Sequence, residues 1–187
     1  LELTAGRSRL VLDELQKWEI LNERLGPVTS VEGSVDLDSF RFTGVLTDSV
    51  TWIYAASGTA RNVTLETGEF PTSKLDGRFS LDQNTLSLKK ARASLLDTNL
   101  SLTGQVRILE NKFYTAALDI SGNIGRGTLT WASQYQPIPD YVKVPSSISV
   151  VDSRLEWKSA NQFSVRGLFT PEDGPRLVLD LARTPLA

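Results

Sequence analysis

The chain has 187 residues, of which 40% are hydrophobic and 22% charged, and its formal net charge is −2. That length fits one domain or two small ones, and the near balance of acidic and basic residues gives no indication of a nucleic-acid partner. Cysteine and histidine are both absent, which excludes disulfides, thiolate nucleophiles, histidine-based catalytic triads and most zinc and iron sites.

Methionine is also absent, so we expect the chain to be an internal piece of a longer protein. No stretch approaches the roughly 20 apolar residues that a membrane-spanning helix needs. An internal piece would not carry its parent's leader or anchor, and the sequence therefore predicts nothing about either.

Residues 8–25, SRLVLDELQKWEILNERL, are the one segment with helical periodicity. Apolar residues recur on one face at three- to seven-residue spacing: Val11, Leu15, Trp18 and Leu25. Gly26-Pro27 would end the helix. We predict that residues 1–27 contain an amphipathic helix that packs on or caps a sheet. A membrane-surface or partner-binding helix is the alternative, although its polar face is not rich in Lys and Arg.

From Val28 onward the hydrophobic period changes to two, which indicates strands. Segments 28–46 and 50–68 are each predicted to form more than one short strand, with turns at Asp38-Ser39 and Ser57-Gly58. The region from 28 to 187 is therefore predicted to be one antiparallel β-domain built of stacked hairpins.

The stretch from Leu75 to Ile108 reads as four short strands, with turns at residues 82–84 (DQN) and 97–99 (DTN). A strand over 112–122 follows, then a Gly-rich turn over 123–127 and a strand over 127–133. The alternating runs place large apolar side chains on one face of each strand.

The last third begins with residues 136–145, which carry three prolines and are predicted to form a surface connection or an edge. Residues 148–169 predict a strand–turn–strand unit, 171–175 a turn, and 176–182 the last strand. The chain thus predicts roughly a dozen strands of ordinary length.

Two pairs of segments form a loose repeat. Residues 31–46 and 75–88 share an acid, a Gly, an alternating run and an Asp turn, whereas 94–106 and 149–169 share a Ser, two aliphatic residues and an Asp. Each unit is about one hairpin, and one hairpin cannot bury its own apolar face. The units are therefore expected to stack side by side.

Residues 75–106, LDGRFSLDQNTLSLKKARASLLDTNLSLTGQV, resemble the repeated segment of AsmA-like proteins of the bacterial envelope, as do 31–46 and 50–71. The resemblance covers about residues 28–169 and includes the Asp-Gly opening at 76–77 and its interval to Gly104. The family includes large bridge-like lipid transporters built from repeating β-grooves.

The resemblance implies a mainly β fold, an antiparallel sheet curled into an open groove (a β-taco) whose apolar inner face holds acyl chains. The implied partners are a phospholipid or other acyl-chain lipid and neighbouring β-groove segments of the same parent chain, without a cofactor. The parent would be periplasmic, anchored in the inner membrane, and would support phospholipid transport and outer-membrane homeostasis. The family offers no catalytic motif, so we do not expect an enzyme.

Alternation within each run selects the residues expected to line the groove. They are Phe79, Leu81, Leu86, Leu88, Leu100, Leu102, Leu118, Ile120, Leu129 and Trp131.

The alternative is a closed β-sandwich or solenoid module that recognises a glycan or a protein through loops such as 123–127 and 136–147. In that case the same apolar residues, and the tryptophans 52, 131 and 157, would form a closed core. The paired acids at 36/38, 66/69 and 172/173 lie in predicted turns or on polar faces, where turn geometry is their usual role. Lys89, Lys90 and Arg92 indicate an edge strand protected by charge or, alternatively, a headgroup contact.

Overall fold

The computed structural model describes residues 1–15, 28–45, 48–67, 71–109, 112–134, 143–159 and 162–183. Its elements are, in chain order, β1 (Glu2–Ala5), β2 (Ser8–Val11), α1 (Leu12–Leu15), β3 (Val28–Val45), β4 (Asp48–Thr67), β5 (Ser73–Asp82), β6 (Thr85–Leu95), β7 (Thr98–Leu109), β8 (Lys112–Gly125), α2 (Arg126–Ala132), β9 (Ser147–Ser159), β10 (Gln162–Pro171) and β11 (Leu177–Arg183).

The eleven strands form a single open antiparallel sheet, so the predicted mainly β, antiparallel architecture is confirmed. From β3 to β11 each strand pairs with its neighbour in the chain. Strands β1 and β2 both pair with β3, and together they occupy one edge. The sheet therefore has ten strand positions, with β1 and β2 sharing the first and β11 occupying the last. The described strands form one open sheet and not the two packed sheets of a sandwich.

Register divides the sheet into two chemically different sides, because residues directly opposite each other in antiparallel strands point the same way. One side, which we call the apolar face, includes Leu10, Val31, Val35, Leu37, Phe40, Phe42, Tyr54, Ala60, Val63, Leu65, Leu75, Phe79, Leu81, Leu86, Leu88, Ala91, Ala93, Leu100, Leu102, Val106, Leu118, Ile120, Val150, Leu155, Trp157, Phe163, Val165, Phe169, Leu177, Leu179 and Leu181. The other side, the polar face, includes Asp36, Arg61, Asp76, Arg78, Asp119, Arg154, Arg166 and Asp180.

Bulges keep the apolar side chains on one face where the sequence parity changes. In β6, Leu86 and Leu88 have even numbers, whereas Ala91 and Ala93 have odd numbers, yet all four lie on the apolar face. The switch occurs at Lys90, which has a φ of 51°. An extra residue in one strand shifts its alternation by one position. The bulge at Lys90 therefore keeps the even-numbered and the odd-numbered apolar residues of β6 on the same face.

Two further bulges have the same signature. Asn62 in β4 and Asp152 in β9 have φ angles of 48° and 47°, and the register shifts beside each of them. At two of the three bulges a side chain from the next strand accepts the freed N–H. The Asn62 N–H donates to Asp76 Oδ1 at 2.7 Å, and the Lys90 N–H donates to Thr103 Oγ1 at 3.2 Å.

The predicted turns at 38–39 and 57–58 are wrong, because both positions lie inside long strands. Ser39 in β3 pairs with Ser57 in β4, and their hydroxyl oxygens are 2.9 Å apart. A register shift next to Ser39 absorbs the irregular spacing that resembled a turn. The predicted four strands between 75 and 108 are likewise three, namely β5, β6 and β7.

The predicted N-terminal helix differs from the structure at its start. Residues 8–11 form strand β2 on the edge of the sheet, and helix α1 covers only Leu12–Leu15. The backbone of Ser8–Val11 pairs with residues 34–37 of β3, and alternation places Leu10 on the apolar face opposite Val35. Residues 16–27, where the rest of the helix was predicted, lie outside the described residues.

The strand predicted at 127–133 and the turn at 123–127 are also wrong. Strand β8 continues to Gly125, and residues 126–132 form helix α2. The Asp97 carboxylate, in the turn between β6 and β7, accepts hydrogen bonds from the N–H groups of Gly127 and Thr128 at 2.8 and 3.0 Å. These N–H groups have no partner within their own helix, so the contact with Asp97 stabilises the helical start.

Candidate functional site

Eight of the ten predicted lining residues share the apolar face. Phe79 lies opposite Leu88 and Leu81 opposite Leu86 across β5 and β6. Leu102 pairs with Ile120 across β7 and β8. Leu118 pairs with Gly104 of β7, which in turn lies opposite Leu88, and Leu100 pairs with Ala93. These eight side chains therefore cover the centre of the apolar face as one contiguous surface.

The other two predicted lining residues do not belong to the sheet. Leu129 and Trp131 lie in α2, so the strand alternation that placed them on one face does not apply. Residues two apart on a helix do not share a face. Both side chains are partly buried, and α2 makes its contacts with the end of β8.

The prediction missed most of the apolar face outside β5 to β8. Its first strands carry the buried side chains of Val31, Leu37, Phe42 and Val63, and β9 carries that of Val150. The bulges hide this continuity, because each of them inverts the alternation in the middle of a strand. An alternating pattern read separately on each side of Asn62 and Asp152 would have found Val63 and Val150. Val31, Leu37 and Phe42 lie in β3, which contains none of these three bulges.

No second layer covers the apolar face among the described residues. Helix α1 contacts β3, and its Leu12 packs against the cluster of Val31, Ala60 and Val63. Helix α2 contacts β8, and the other extensive contacts between described elements join neighbouring strands. No large side chain of the described part of the chain is less than 2% exposed. The side chains of Phe79, Leu100 and Ile120 are only partly buried. The face thus combines buried side chains such as Leu88 and Val106 with partly exposed apolar ones, and exposed apolar patches often mark an interaction site.

Small residues line the middle of this surface. Ala60 in β4, Gly77 in β5 and Ala91 in β6 are neighbours in one row across the sheet. Ala91 is only 1% exposed, although no described layer lies above it. A Cβ atom on Gly77 would lie 2.5 Å from Ala91 Cα. The row therefore lacks large side chains, and we call it the crease. The neighbouring pair on this face of β5 and β6 is Phe79 and Leu88.

An aromatic pair lies at one end of the apolar face. The rings of Phe42 and Trp52 are 5.6 Å apart and meet edge to face at 73°. The Trp52 indole N–H donates to the Val45 carbonyl at 2.8 Å, which fixes the ring. An edge-to-face arrangement is one of the favourable geometries of an aromatic pair.

The polar face carries a row of charges across its last four strands. Arg154 Nη1 lies 3.0 Å from Asp119 Oδ1, and Arg166 Nη2 lies 3.0 Å from Asp180 Oδ2. Glu156, followed by Asp119, raises the pKa of Arg154 above its ordinary value through hydrogen bonds. All of these side chains are largely exposed, so their ion pairs contribute little to the free energy of unfolding. Their main effects are to favour this strand register and to keep the face soluble.

Two members of the predicted acidic pairs, Asp36 and Glu172, have local structural roles. Asp36 pairs with Arg61 on the polar face. Glu172 accepts hydrogen bonds from the Ser146 and Ser147 hydroxyls, which lower its pKa. Asp97 has a lowered pKa mainly because the Gly127 N–H donates to it. Glu69 lies outside the described residues.

The prediction that Lys89, Lys90 and Arg92 protect an edge is wrong, because β6 lies between β5 and β7 in the interior of the sheet. Lys90 forms the bulge, and Arg92 pairs with Asp76 across β5 and β6.

Two shallow cavities open among the described residues, and polar side chains predominate in both. One, of about 310 Å³, includes Ser101, Asp119 and Asp152 in its lining. The other, of about 290 Å³, includes Gln105, Glu156 and Lys158. No cluster of three or more acidic side chains that could hold a metal ion occurs in the described ranges.

Comparisons with known proteins add no relative: a scan against family models, a search of curated proteins and a search of solved structures each return no match. None of the helices that the structure describes is long and apolar enough to cross a membrane.

Proposed function

We propose that the chain is a segment of an AsmA-like periplasmic protein and that its apolar face shields lipid acyl chains. In this function the protein supports phospholipid transport between membranes and outer-membrane homeostasis, and its parent is anchored in the inner membrane. The observation that carries the proposal is the continuous apolar face, over which the described residues place no second sheet and on which α1 sets Leu12 against Val31, Ala60 and Val63.

The sheet is proposed to curl towards its apolar face and so to form an open groove. Bulges bend and twist strands, and here three of them interrupt β4, β6 and β9 at Asn62, Lys90 and Asp152. The row of small residues, Ala60, Gly77 and Ala91, permits a crease on the apolar side. The low exposure of Ala91 supports this direction of bending, because larger neighbours must lean over it.

Binding would be passive and driven by the hydrophobic effect. Each CH₂ group that leaves water for the apolar face contributes about 0.8 kcal/mol. Specific headgroup recognition is not required, and the polar face remains in water with its ion pairs. A carboxylate introduced among the acyl-binding residues would be costly to desolvate and would therefore weaken binding.

The test is titration of the purified chain with a phospholipid that carries an environment-sensitive fluorophore on one acyl chain. The variant Leu100→Glu adds a charge to the apolar face, and Ser101→Glu adds the same charge to the polar face of the same strand, opposite Arg92. We expect saturable uptake by the unmodified chain and by Ser101→Glu, and uptake weakened about tenfold or more in Leu100→Glu.

Circular dichroism of both variants verifies that the sheet is intact. The proposal fails if the unmodified chain takes up no lipid, or if the two variants, both folded, bind lipid equally well.

A further inference from the structure

The last strand, β11, forms an open edge in the described part of the sheet, where it pairs only with β10. All seven of its residues are exposed, and its sequence LVLDLAR contains no proline or glycine. Natural edge strands are usually blunted by proline, bulges or several charges. The only charged residues of strand β11 are Asp180 and the terminal Arg183. Its outward N–H and C=O groups are therefore available to pair with another strand.

The direction of the two edges makes them complementary to each other. All neighbouring strands are antiparallel, and the sheet has ten strand positions. With an even number of positions, the first and last strands run in opposite directions. A strand added to β11 in the same antiparallel pattern would run in the direction of β2.

One register matches both faces. It sets Val178 opposite Val11, Leu179 opposite Leu10, Asp180 opposite Arg9 and Leu181 opposite Ser8 of a second copy. Leu179 and Leu10 both lie on the apolar face, because their partners are Gly167 and Val35. The apolar face would then continue without interruption from one copy to the next.

The same register covers two exposed aliphatic side chains on the polar face, Val11 and Val178, the second of which lies opposite Leu168 of β10. Val178 is 76% exposed and Val11 is 46% exposed, although their neighbours Asp180 and Arg9 on that face are charged. Directly opposite aliphatic pairs stabilise antiparallel strands. Each valine would therefore cover the other.

The charged side chains on the polar face of the two copies are also complementary in this register. Within one copy, Asp180 pairs with Arg166, and Arg9 lies 3.8 Å from Asp36. The register would place Arg9 of the next copy beside Asp180, so that the charges along the row read Arg166, Asp180, Arg9 and Asp36. Signs then alternate across the junction between copies.

We propose that a second copy of this chain docks head to tail, with its β2 edge on β11 in the register that pairs Val11 with Val178. The association is heterologous, so it leaves a free β2 edge at one end and a free β11 edge at the other and can continue. It does not rest on lipid binding.

Cross-linking tests the register directly, because the chain contains no native cysteine. Opposed Cα atoms in a ladder are about 4.5–5.5 Å apart, within the range for a disulfide. The single variants Val11→Cys and Val178→Cys are mixed, one of them ¹⁵N-labelled, and oxidised gently. We expect the mixed dimer to exceed both homodimers at least about tenfold. The matched control replaces one partner with Ile53→Cys, which is 56% exposed in an interior strand.

A second in-register pair, Arg9→Cys with Asp180→Cys, guards against a local effect of the valine variants and is expected to cross-link equally well. In sedimentation velocity, the unmodified chain is expected to form concentration-dependent oligomers that Val178→Lys abolishes and Ile53→Lys does not. A Val178→Cys homodimer as the main product would overturn the proposal in favour of β11 pairing with itself. Cross-linking no greater than with Ile53→Cys would also overturn it.

Discussion

The Asp97 carboxylate accepts the Gly127 N–H at 2.8 Å and so joins the turn between β6 and β7 to a helix 30 residues later in the chain. The same carboxylate accepts the Thr128 N–H at 3.0 Å, and Thr128 Oγ1 donates to the Leu95 carbonyl at 2.9 Å. These three bonds hold the start of α2 against the end of the sheet.

Replacement of this carboxylate should release α2 without unfolding the sheet. In Asp97→Ala we expect the amides of Gly127 and Thr128 to exchange with solvent roughly fivefold faster or more, whereas amides in β5 to β7 remain protected. Hydrogen–deuterium exchange with mass spectrometry measures both. The control is Asp173→Ala, which removes an exposed turn acid elsewhere. Equal exchange in both variants would contradict the role of Asp97.

The same contact predicts a pH dependence. Hydrogen bonds from the Gly127 and Thr128 N–H groups lower the pKa of Asp97 in the folded chain. The stabilisation is therefore present at neutral pH and is lost as the pH falls through this lowered pKa, below about pH 4. We expect the difference in unfolding midpoint between the unmodified chain and Asp97→Ala to shrink between pH 7 and pH 3. A difference that grows in acid would contradict this assignment.

The crease depends on the absence of a side chain at Gly77. Its φ is 145°, and a Cβ atom there would lie 2.5 Å from Ala91 Cα. Gly77→Ala should therefore lower the free energy of unfolding by about 2 kcal/mol, through backbone strain and overpacking. The matched control is Gly6→Ala, where a Cβ would meet nothing within 4 Å. Urea denaturation compares the two, and equal stabilities would show that the crease tolerates a methyl group.

A proline at position 57 tests whether Ser57 lies in a turn or in the interior of a strand. Ser57 pairs with Ser39 of β3 and with Ser80 of β5. Ser57→Pro removes a donor from the middle of the sheet and should destabilise it by on the order of 2–3 kcal/mol. Thr72→Pro, placed before β5 begins, should cost much less. Thermal unfolding measures both, and a harmless Ser57→Pro would restore the predicted turn.

Local chemistry predicted some turns of the sheet correctly and predicted others where the strands continue. The Asp-Gln-Asn segment at 82–84 does join β5 to β6, and Gln83 has the φ of 47° that tight turns use. At 38–39 and 57–58 the same residue types occur inside strands. Pairing with two neighbours outweighs local turn preference there, and that pairing is not visible in a single segment.

The candidate surface was predictable where alternation is uninterrupted. Phe79 and Leu81, and Leu100 and Leu102, follow simple alternation, and all four lie on the apolar face. Alternation failed at Leu129 and Trp131, because both lie in helix α2, at whose start the carboxylate of the distant Asp97 accepts two N–H groups. It also hid the continuation of the face in β9, since Asp152 inverts the parity there.

The most direct test of the central claim is photo-cross-linking with a phospholipid that carries a diazirine within an acyl chain. After irradiation, mass spectrometry locates the labelled residues, and a lipid with the diazirine on its headgroup serves as the comparison. We predict acyl-chain adducts on the apolar face of β5 to β8, at residues such as Phe79, Leu102 and Ile120, and none on the polar face. Adducts on polar-face residues such as Arg78 and Thr103, or no adducts above those of an unrelated β-protein, would contradict the account.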